Sequence, residues 1–208
     1  MNKPVAREPV RRNARSNRAR ILATARDELG RNPDATLEEI ARAAGVVRRT
    51  LFGHFPGRAA LLEALADEAS EALRDAAEQR PDAVEPPERA FARFVLSMWP
   101  VGDCYRLLLA LARRDLGVER VTEVLAPARE EATALLERGQ ASGVFHAHVP
   151  PAALSAGLEA LTLALLESVN SGAWEDDGRR TATAILVAAG VPERRAQDVV
   201  DDVASELP

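Results

Sequence analysis

Residues 36–55 read Thr-Leu-Glu-Glu-Ile-Ala-Arg-Ala-Ala-Gly-Val-Val-Arg-Arg-Thr-Leu-Phe-Gly-His-Phe. Thr36 followed three places later by Glu39 is a capping box: the hydroxyl accepts one orphan amide of a helix start and the carboxylate returns to another. Leu37, Ile40, Ala41 and Ala44 then recur at helical spacing. Gly45 stands where a helix ends in a left-handed residue, a conformation glycine enters without a Cβ clash. A second short helix, about 47–54, has Leu51 and Phe55 turned back toward the first. Ala41 is small where the two helices cross, Gly45 lets the chain reverse, and Leu51 fills the angle between them. The stretch predicts a helix-turn-helix, with Arg48, Arg49 and Thr50 on the outer surface of its second helix.

The charges agree with a polyanionic partner at this end. Residues 1–60 hold 13 Arg/Lys against 6 Asp/Glu, and residues 61–208 hold 14 against 26, so a net charge of −5 conceals a basic N-terminal part. Residues 1–15, with Arg7, Arg11, Arg12 and Arg15, read as a flexible basic arm. Composition alone fits a solvated tail as well as a strand that contacts phosphates or the minor groove, and the adjoining basic headpiece favours contact. A helix over about 16–31 follows, with Ile21, Leu22, Ala25 and Leu29 on one face, closed by Asn32-Pro33-Asp34. The helix-turn-helix domain is thus expected over 16–56. Pro56-Gly57 separates a connecting helix, 57–79, whose stripe is Leu61, Leu62, Leu65, Ala69, Ala72, Leu73 and Ala76. Three prolines in 80–88 mark a domain boundary.

Apolar residues make up 47% of the 208, and β-branched and aromatic types are sparse, so the expected fold is all-α with a larger helical domain over 87–208. Its helices are expected at about 87–99, 103–116, 118–125, 127–141, 151–171, 176–189 and 192–206. Cys104 is the single cysteine, which excludes an internal disulfide and suggests a reducing cytoplasm. The basic N-terminus lacks the apolar stretch of a signal peptide. Runs such as 107–112 and 161–166 fall short of the roughly 20 apolar residues that span a bilayer, so a soluble, cytoplasmic protein with no membrane partner is expected.

Within the larger domain, Phe91, Phe94, Met98, Trp99, Cys104, Tyr105 and Leu108 cluster, with four of the chain's eight aromatic residues among them. They read either as core packing or as the wall of a pocket between helices. His146 and His148 lack the third and fourth ligands that a metal needs. No glycine-flanked nucleophile, no histidine near Cys104 and no phosphate-cradling glycine loop occurs. Neither an enzyme nor a bound cofactor is expected. Leu154, Leu158, Leu161 and Leu165 form one stripe of a helix while Leu163, Leu166 and Val169 form another; Ile185, Leu186 and Ala189 continue a seam on the next helix. A helix apolar on two sides must bury both. Two copies of the pair would make a two-fold, four-helix dimer interface.

Thr36, Ile40, Ala41, Ala44, Gly45, Val46, Thr50, Leu51, His54, Phe55, Pro56, Gly57, Arg58 and Leu61-Leu62 fall in the places where the tetracycline-repressor family of bacterial transcriptional regulators carries Thr, Ile-Ala, Ala-Gly-Val, Thr-Leu, His-Phe-Pro, a small residue, a basic residue and a leucine-rich helix. The chain resembles that family over about 45 residues, and beyond them in helix order and in the segment 139–145, Gly-Gln-Ala-Ser-Gly-Val-Phe. The resemblance implies an all-helical homodimer, with an N-terminal three-helix DNA-binding domain and a C-terminal domain that dimerises and holds a small effector. It assigns to the DNA surface Thr36, Val46, Val47, Arg48, Arg49, Thr50, Phe52, Gly53, His54, Phe55 and Arg58. Two residues depart from the family pattern: Val47 replaces a capping serine and Phe52 replaces a tyrosine.

Arginines early in the second helix either donate twice to guanine O6 and N7 or clamp phosphates. Arg58, a cation at a helix N-terminus, opposes the helix dipole, which suggests a phosphate close by. The expected partners are double-stranded operator DNA, a second copy of the chain and a small apolar or amphipathic effector. The function expected first is a repressor released by that effector. A ligand-independent accessory or architectural DNA-binding protein is the alternative, and a helical enzyme the more distant one.

Overall fold

Proline and glycine punctuate the chain into helices. The structure, a computed structural model, describes residues 8–78 and 85–207, with side chains from residue 16 onward in those stretches. Among the described residues it consists of α1 (Glu8–Arg31), α2 (Leu37–Ala43), α3 (Arg48–His54), α4 (Arg58–Glu78), α5 (Pro87–Asp115), α6 (Val118–Ala141), α7 (Pro151–Asn170), α8 (Arg179–Ala188) and α9 (Glu193–Glu206), with no strand. The all-α expectation holds. Two compact units result: residues up to Glu68 with Leu107–Val121, and Ala69–Arg106 with residues from Thr122 onward. The division falls inside α4, α5 and α6, each an unbroken helix.

In the first unit α1 packs on α2 and α3. Its buried side chains are those the helical spacing selects: Ile21, Leu22, Ala25, Leu29, Ile40, Ala41, Leu51, Phe55, Leu61, Leu62 and Leu65. Burying a side chain of the Leu, Ile or Phe class stabilises by about 1.5–3 kcal/mol, so this small domain rests on few residues. Arg26 pairs with Glu68 at 3.0 Å, and Arg120 pairs with Glu63 at 2.8 Å.

The second unit centres on one cluster: Phe91, Val95 and Leu96 of α5, Leu135 and Leu136 of α6, Phe145 of the loop after it, Leu154 and Leu158 of α7, Ile185 and Leu186 of α8, and Val199, Val200 and Val203 of α9. Ion pairs tie α9 to α5, with Glu206 2.6 Å from both Arg89 and Arg93 and Arg195 2.9 Å from Glu88. Hydrogen bonds from Arg93, then Arg89, hold the Glu206 carboxyl below its ordinary range. The Arg93 guanidinium is raised, chiefly by its bond to Glu85.

The segment after α6 shows why its residue types are needed. Gly143 has φ 76°, a left-handed turn. A Cβ on Gly139 would lie 2.0 Å from the Phe145 ring. That closeness seats Phe145 edge-on to Phe91, centroids 5.6 Å apart. Gln140 fastens the loop by donating to the carbonyls of His146 and Val149, at 2.9 and 3.0 Å.

Several expected boundaries move. Helix α1 begins at Glu8, so residues 8–15, read as part of a flexible arm, are helical; residues 1–7 and the side chains of 8–15 lie outside the described residues. Pro100 and Pro127 were expected to divide helices, yet α5 and α6 run through them. An internal proline costs about 3 kcal/mol. The buried faces continue on both sides, with Val95, Leu96 and Trp99 before Pro100 and Leu108 and Leu111 after it, and their packing outweighs that cost. Helix α8 starts at Arg179 because Asp176 lies before it as a cap, accepting from the amides of Arg180 (3.2 Å) and Thr181 (3.0 Å) and from the Thr181 hydroxyl (2.6 Å). Joined through Pro100, α5 is 29 residues long; it and α7 are long and apolar enough to cross a bilayer by length and composition, contrary to the reading of short apolar runs. Each buries one face in the cluster above, a use for which a core helix has the same composition.

Gly139→Ala should lower stability by about 1–3 kcal/mol, the usual range for overpacking, because Phe145 must leave its site. Urea unfolding of the purified variant checks this; an unchanged midpoint would mean the contact is not needed.

Candidate nucleic-acid interface and internal cavity

The turn between α2 and α3 is held by backbone chemistry. Thr36 is extended (φ −80°, ψ 157°); its Oγ1 accepts from the Glu39 amide at 3.2 Å, and Glu39 accepts from the Thr36 amide at 2.8 Å. Bonds to the Glu39 carboxylate from the Thr36 amide and then from the Thr36 hydroxyl (2.8 Å) hold it below its ordinary range. Gly45 has φ 64°, and the amides of Gly45 and Val46 close the turn on the carbonyls of Arg42 (3.1 Å) and Ala41 (3.0 Å). Leu51 is fully buried and Phe55 is 2% exposed, so the inner side of α3 is locked against its neighbours.

The outer side of α3 carries Arg48, Arg49 and Gly53, all exposed, flanked by half-buried Thr50, Phe52 and His54. Arg48 lies over the Phe52 ring, 5.0 Å from its centroid, and pairs with Glu38 at 3.0 Å. Arg49 makes no ion pair among the described residues. An added Cβ on Gly53 would meet nothing within 4 Å, so packing does not require glycine there. Val47, the residue before α3, is 69% exposed and provides no side-chain cap.

In the second unit a cavity of about 140 Å³ lies among α5, α6, α7 and α8 with Leu73 of α4 on its wall. Phe91, Phe94, Val95, Met98 and Trp99 line one side; Leu125, Ala128, Ala132, Leu158, Leu163, Leu166 and Ile185 line much of the rest. Phe91 and Phe94 stack with centroids 6.0 Å apart. Trp99 rests on Gly178, where an added Cβ would lie 2.7 Å from the ring, and Gly178 has φ 101°. Four polar residues reach the wall. Arg129 donates twice to Glu159, at 2.9 and 2.8 Å. The Thr162 hydroxyl donates to the Leu158 carbonyl at 2.9 Å, and the Ser155 hydroxyl lies 3.5 Å from the Arg129 carbonyl.

Residues 21–65 match the family model described as bacterial regulatory proteins, tetR family. Over those residues the chain carries the N-terminal domain pattern of that family. Solved structures extend the likeness to the whole fold. CprB, a TetR family protein from S. coelicolor A3(2), is 20% identical with a TM-score of 0.74, over 94% of this chain and 100% of that one. A gamma-butyrolactone receptor described as ArpA-like is 21% identical with a TM-score of 0.70, over 94% and 100%. The fatty acid degradation regulator FadR from Bacillus halodurans is 17% identical with a TM-score of 0.70, over 83% and 94%. At these identities the likeness is one of fold alone. No curated protein matches the chain in sequence.

Two residues assigned to the tetR DNA surface sit elsewhere. Phe55 is core, and its ring takes the Arg18 guanidinium 5.3 Å from its centroid. Arg58 grips the loop between α1 and α2, donating to the carbonyls of Ala35 (2.8 Å) and Pro33, and lies 3.4 Å from Asp115. Those partners offset its unfavourable place at a helix start, so no phosphate is needed to explain it. Thr36 spends its hydroxyl on the capping box.

Phe91, Phe94, Met98 and Trp99 line the cavity as the pocket reading expected, whereas Cys104, Tyr105 and Leu108 do not. Cys104 is exposed, and Leu108 belongs to the first unit. Of the residues of α5 beyond Pro100, Gly102 still lines the cavity. Leu154, Leu158, Ile185, Leu186 and Ala189, read as dimer-forming, are buried within the chain's own core, while Leu161 and Leu165 are half-buried. The outward residues of α7 are instead Ala152, Ala153, Ala156, Gly157, Ala160, Ala164 and Glu167.

Sequence reasoning missed Leu73, Arg129, Ser155, Glu159 and Thr162. A signal existed: Ser155, Glu159 and Thr162 lie at i, i+4 and i+7 of an otherwise apolar helix, one polar line on one face. The rings of His146 and His148 stack 5.2 Å apart. Among the described residues no three His, Cys, Asp or Glu side chains converge.

Val47→Ser should stabilise the DNA-binding domain by about 0.5–2 kcal/mol, the worth of an N-cap, since the exposed valine loses little packing. The rise in melting temperature of the variant measures it. No rise would mean that the amides of the first turn of α3 gain nothing from a cap.

Proposed function

We propose that the chain is a homodimeric repressor that holds operator DNA through α3 and lets go when a small molecule fills the cavity of the second unit. The observation that carries the DNA half is the pairing of a locked inner face of α3, Leu51 and Phe55, with an outer face bearing Arg48 and Arg49. A helix so braced lies in the major groove with its first residues at base edges, and a dimer sets two such helices about 34–36 Å apart, one helical turn of duplex. The Arg48–Glu38 pair is exposed, at 68% and 45%, so it exchanges readily for a guanine or a phosphate.

The release half rests on α4. The same helix carries Arg58, which grips the loop before α2, and Leu73, which lines the cavity. A ligand that displaces Leu73 moves the helix to which that grip belongs. Such coupling requires the ligand to bind the DNA-free form more tightly than the DNA-bound form. A gamma-butyrolactone receptor and a fatty acid degradation regulator among proteins of the same fold support a small organic effector.

Dimerisation is assigned to the outward face of α7. That helix is apolar nearly all round, and a helix apolar on two sides buries both. Its exposed residues, Glu167 apart, are alanine and glycine, which let a second helix approach closely. The second copy is the partner that a two-fold operator reader requires.

Two experiments test the reading. Arg48→Ala with Arg49→Ala should weaken operator binding by about 1–3 kcal/mol for each arginine that reads a base; one that clamps a phosphate should instead lower the salt slope by about one unit. Titration of labelled operator at several salt concentrations separates these, and unchanged binding rejects α3 as the reading helix. Gly157→Glu faces open space and replaces the poorest helix former but proline. It should leave the fold intact and yield a monomer in sedimentation; a variant that stays dimeric removes α7 as the interface.

A further inference from the structure

We propose that the cavity selects a small neutral molecule, a single ring or a chain of similar bulk with at most one hydroxyl, and rejects carboxylates through the Arg129–Glu159 pair in its wall. This rests on the reading of the cavity as the effector site and adds the charge and size of the occupant.

Size comes first. At about 140 Å³ the space matches in volume an engineered apolar cavity of about 150 Å³ that takes benzene. The wall matches that chemistry: Phe91, Phe94, Met98 and Trp99 offer ring faces, edges and a thioether to an apolar guest.

Charge comes second. The two side chains of the pair are 29% and 27% exposed, and each of the two short bonds joins a guanidinium nitrogen to a different carboxylate oxygen. An incoming carboxylate could reach Arg129 only by displacing Glu159. That would leave one half-buried anion without its partner beside a second anion, the costly way to break such a pair. A cation meets a Glu159 already neutralised. A hydroxyl faces neither penalty, because a carboxylate oxygen has a second lone pair and accepts another bond while keeping the first. The Thr162 and Ser155 hydroxyls give their protons to backbone carbonyls, so toward a guest's O–H they can only accept, and Glu159, the charged acceptor in the wall, is the strongest of the three.

The test uses the full-length protein and three probes of one ring: toluene, phenol and benzoate. Calorimetry at neutral pH should show phenol binding at least as tightly as toluene, with no benzoate uptake at concentrations that saturate phenol. Glu159→Gln leaves Arg129 with an uncharged partner, so benzoate should gain at least about tenfold while toluene is unchanged. Retained toluene binding shows that the variant's cavity is intact. Replacing both Arg129 and Glu159 by methionine gives a second variant that removes the charges together; it should keep toluene, lose the phenol preference and still exclude benzoate. The proposal is overturned if the parent protein takes benzoate as well as phenol, if Glu159→Gln brings no benzoate gain, or if no neutral probe binds. Operator release is measured separately. Selective binding of phenol without release of any operator would reject the cavity as the regulatory site and leave its selectivity standing.

Discussion

Burial of Leu51 and Phe55 is the constraint on which the DNA-binding end depends. Helix α3 has only seven residues, far too few to persist alone in water. It exists because two large side chains are wedged against α1 and α2, and because Gly45 turns the chain at an angle that lets them arrive. Fixing the inner side leaves the outer side no freedom of rotation. Arg48 and Arg49 are therefore presented at a set angle, and readout of a groove needs that more than it needs raw charge. Arg58 adds a second anchor by tying the start of α4 to the carbonyls of the α1–α2 loop. The tetR pattern in this stretch is thus mostly a pattern of bracing, with Arg48 and Arg49 carried on its outer side.

The second unit solves a different problem. Its helices line an apolar space that they do not fill, and the charged groups in the wall, Arg129 and Glu159, are opposed to each other. A lone carboxylate or guanidinium there would demand an ionic guest; a pair joined by two hydrogen bonds demands none. Trp99 closes another part of the wall by lying on the bare backbone of Gly178, a contact no residue with a side chain at 178 would allow. Small residues thus shape both the cavity wall, at Gly178, and the outward face of α7.

Much of the N-terminal unit was legible in the residues. Thr36, Glu39, Gly45 and Leu51 act through local rules, caps and turns that operate over three or four positions, and the structure places each as read. Phe55 was read as inward from its spacing and as a DNA-surface residue from the resemblance, and it is buried; Arg58 was legible as a position but not as a role, since it bonds backbone carbonyls remote in sequence. The cavity was half visible. Phe91, Phe94, Met98 and Trp99 cluster in the chain and line it, whereas Glu159 and Arg129 are 30 positions apart and meet only because α6 and α7 pack side by side.

The sequence by itself determined the helical class, the helix-turn-helix with its caps, and the basic outer face of α3, because these follow from spacing and backbone preference within a few residues. Tertiary structure alone decided whether α5 and α6 would break at Pro100 and Pro127, which leucines the chain would bury for itself, and which polar side chains would meet across a cavity. In each of those cases the local cost is a few kcal/mol, about 3 for an internal proline, and the burial that offsets it comes from residues far away in the chain. Local rules register the cost; only the assembled core reveals what outweighs it.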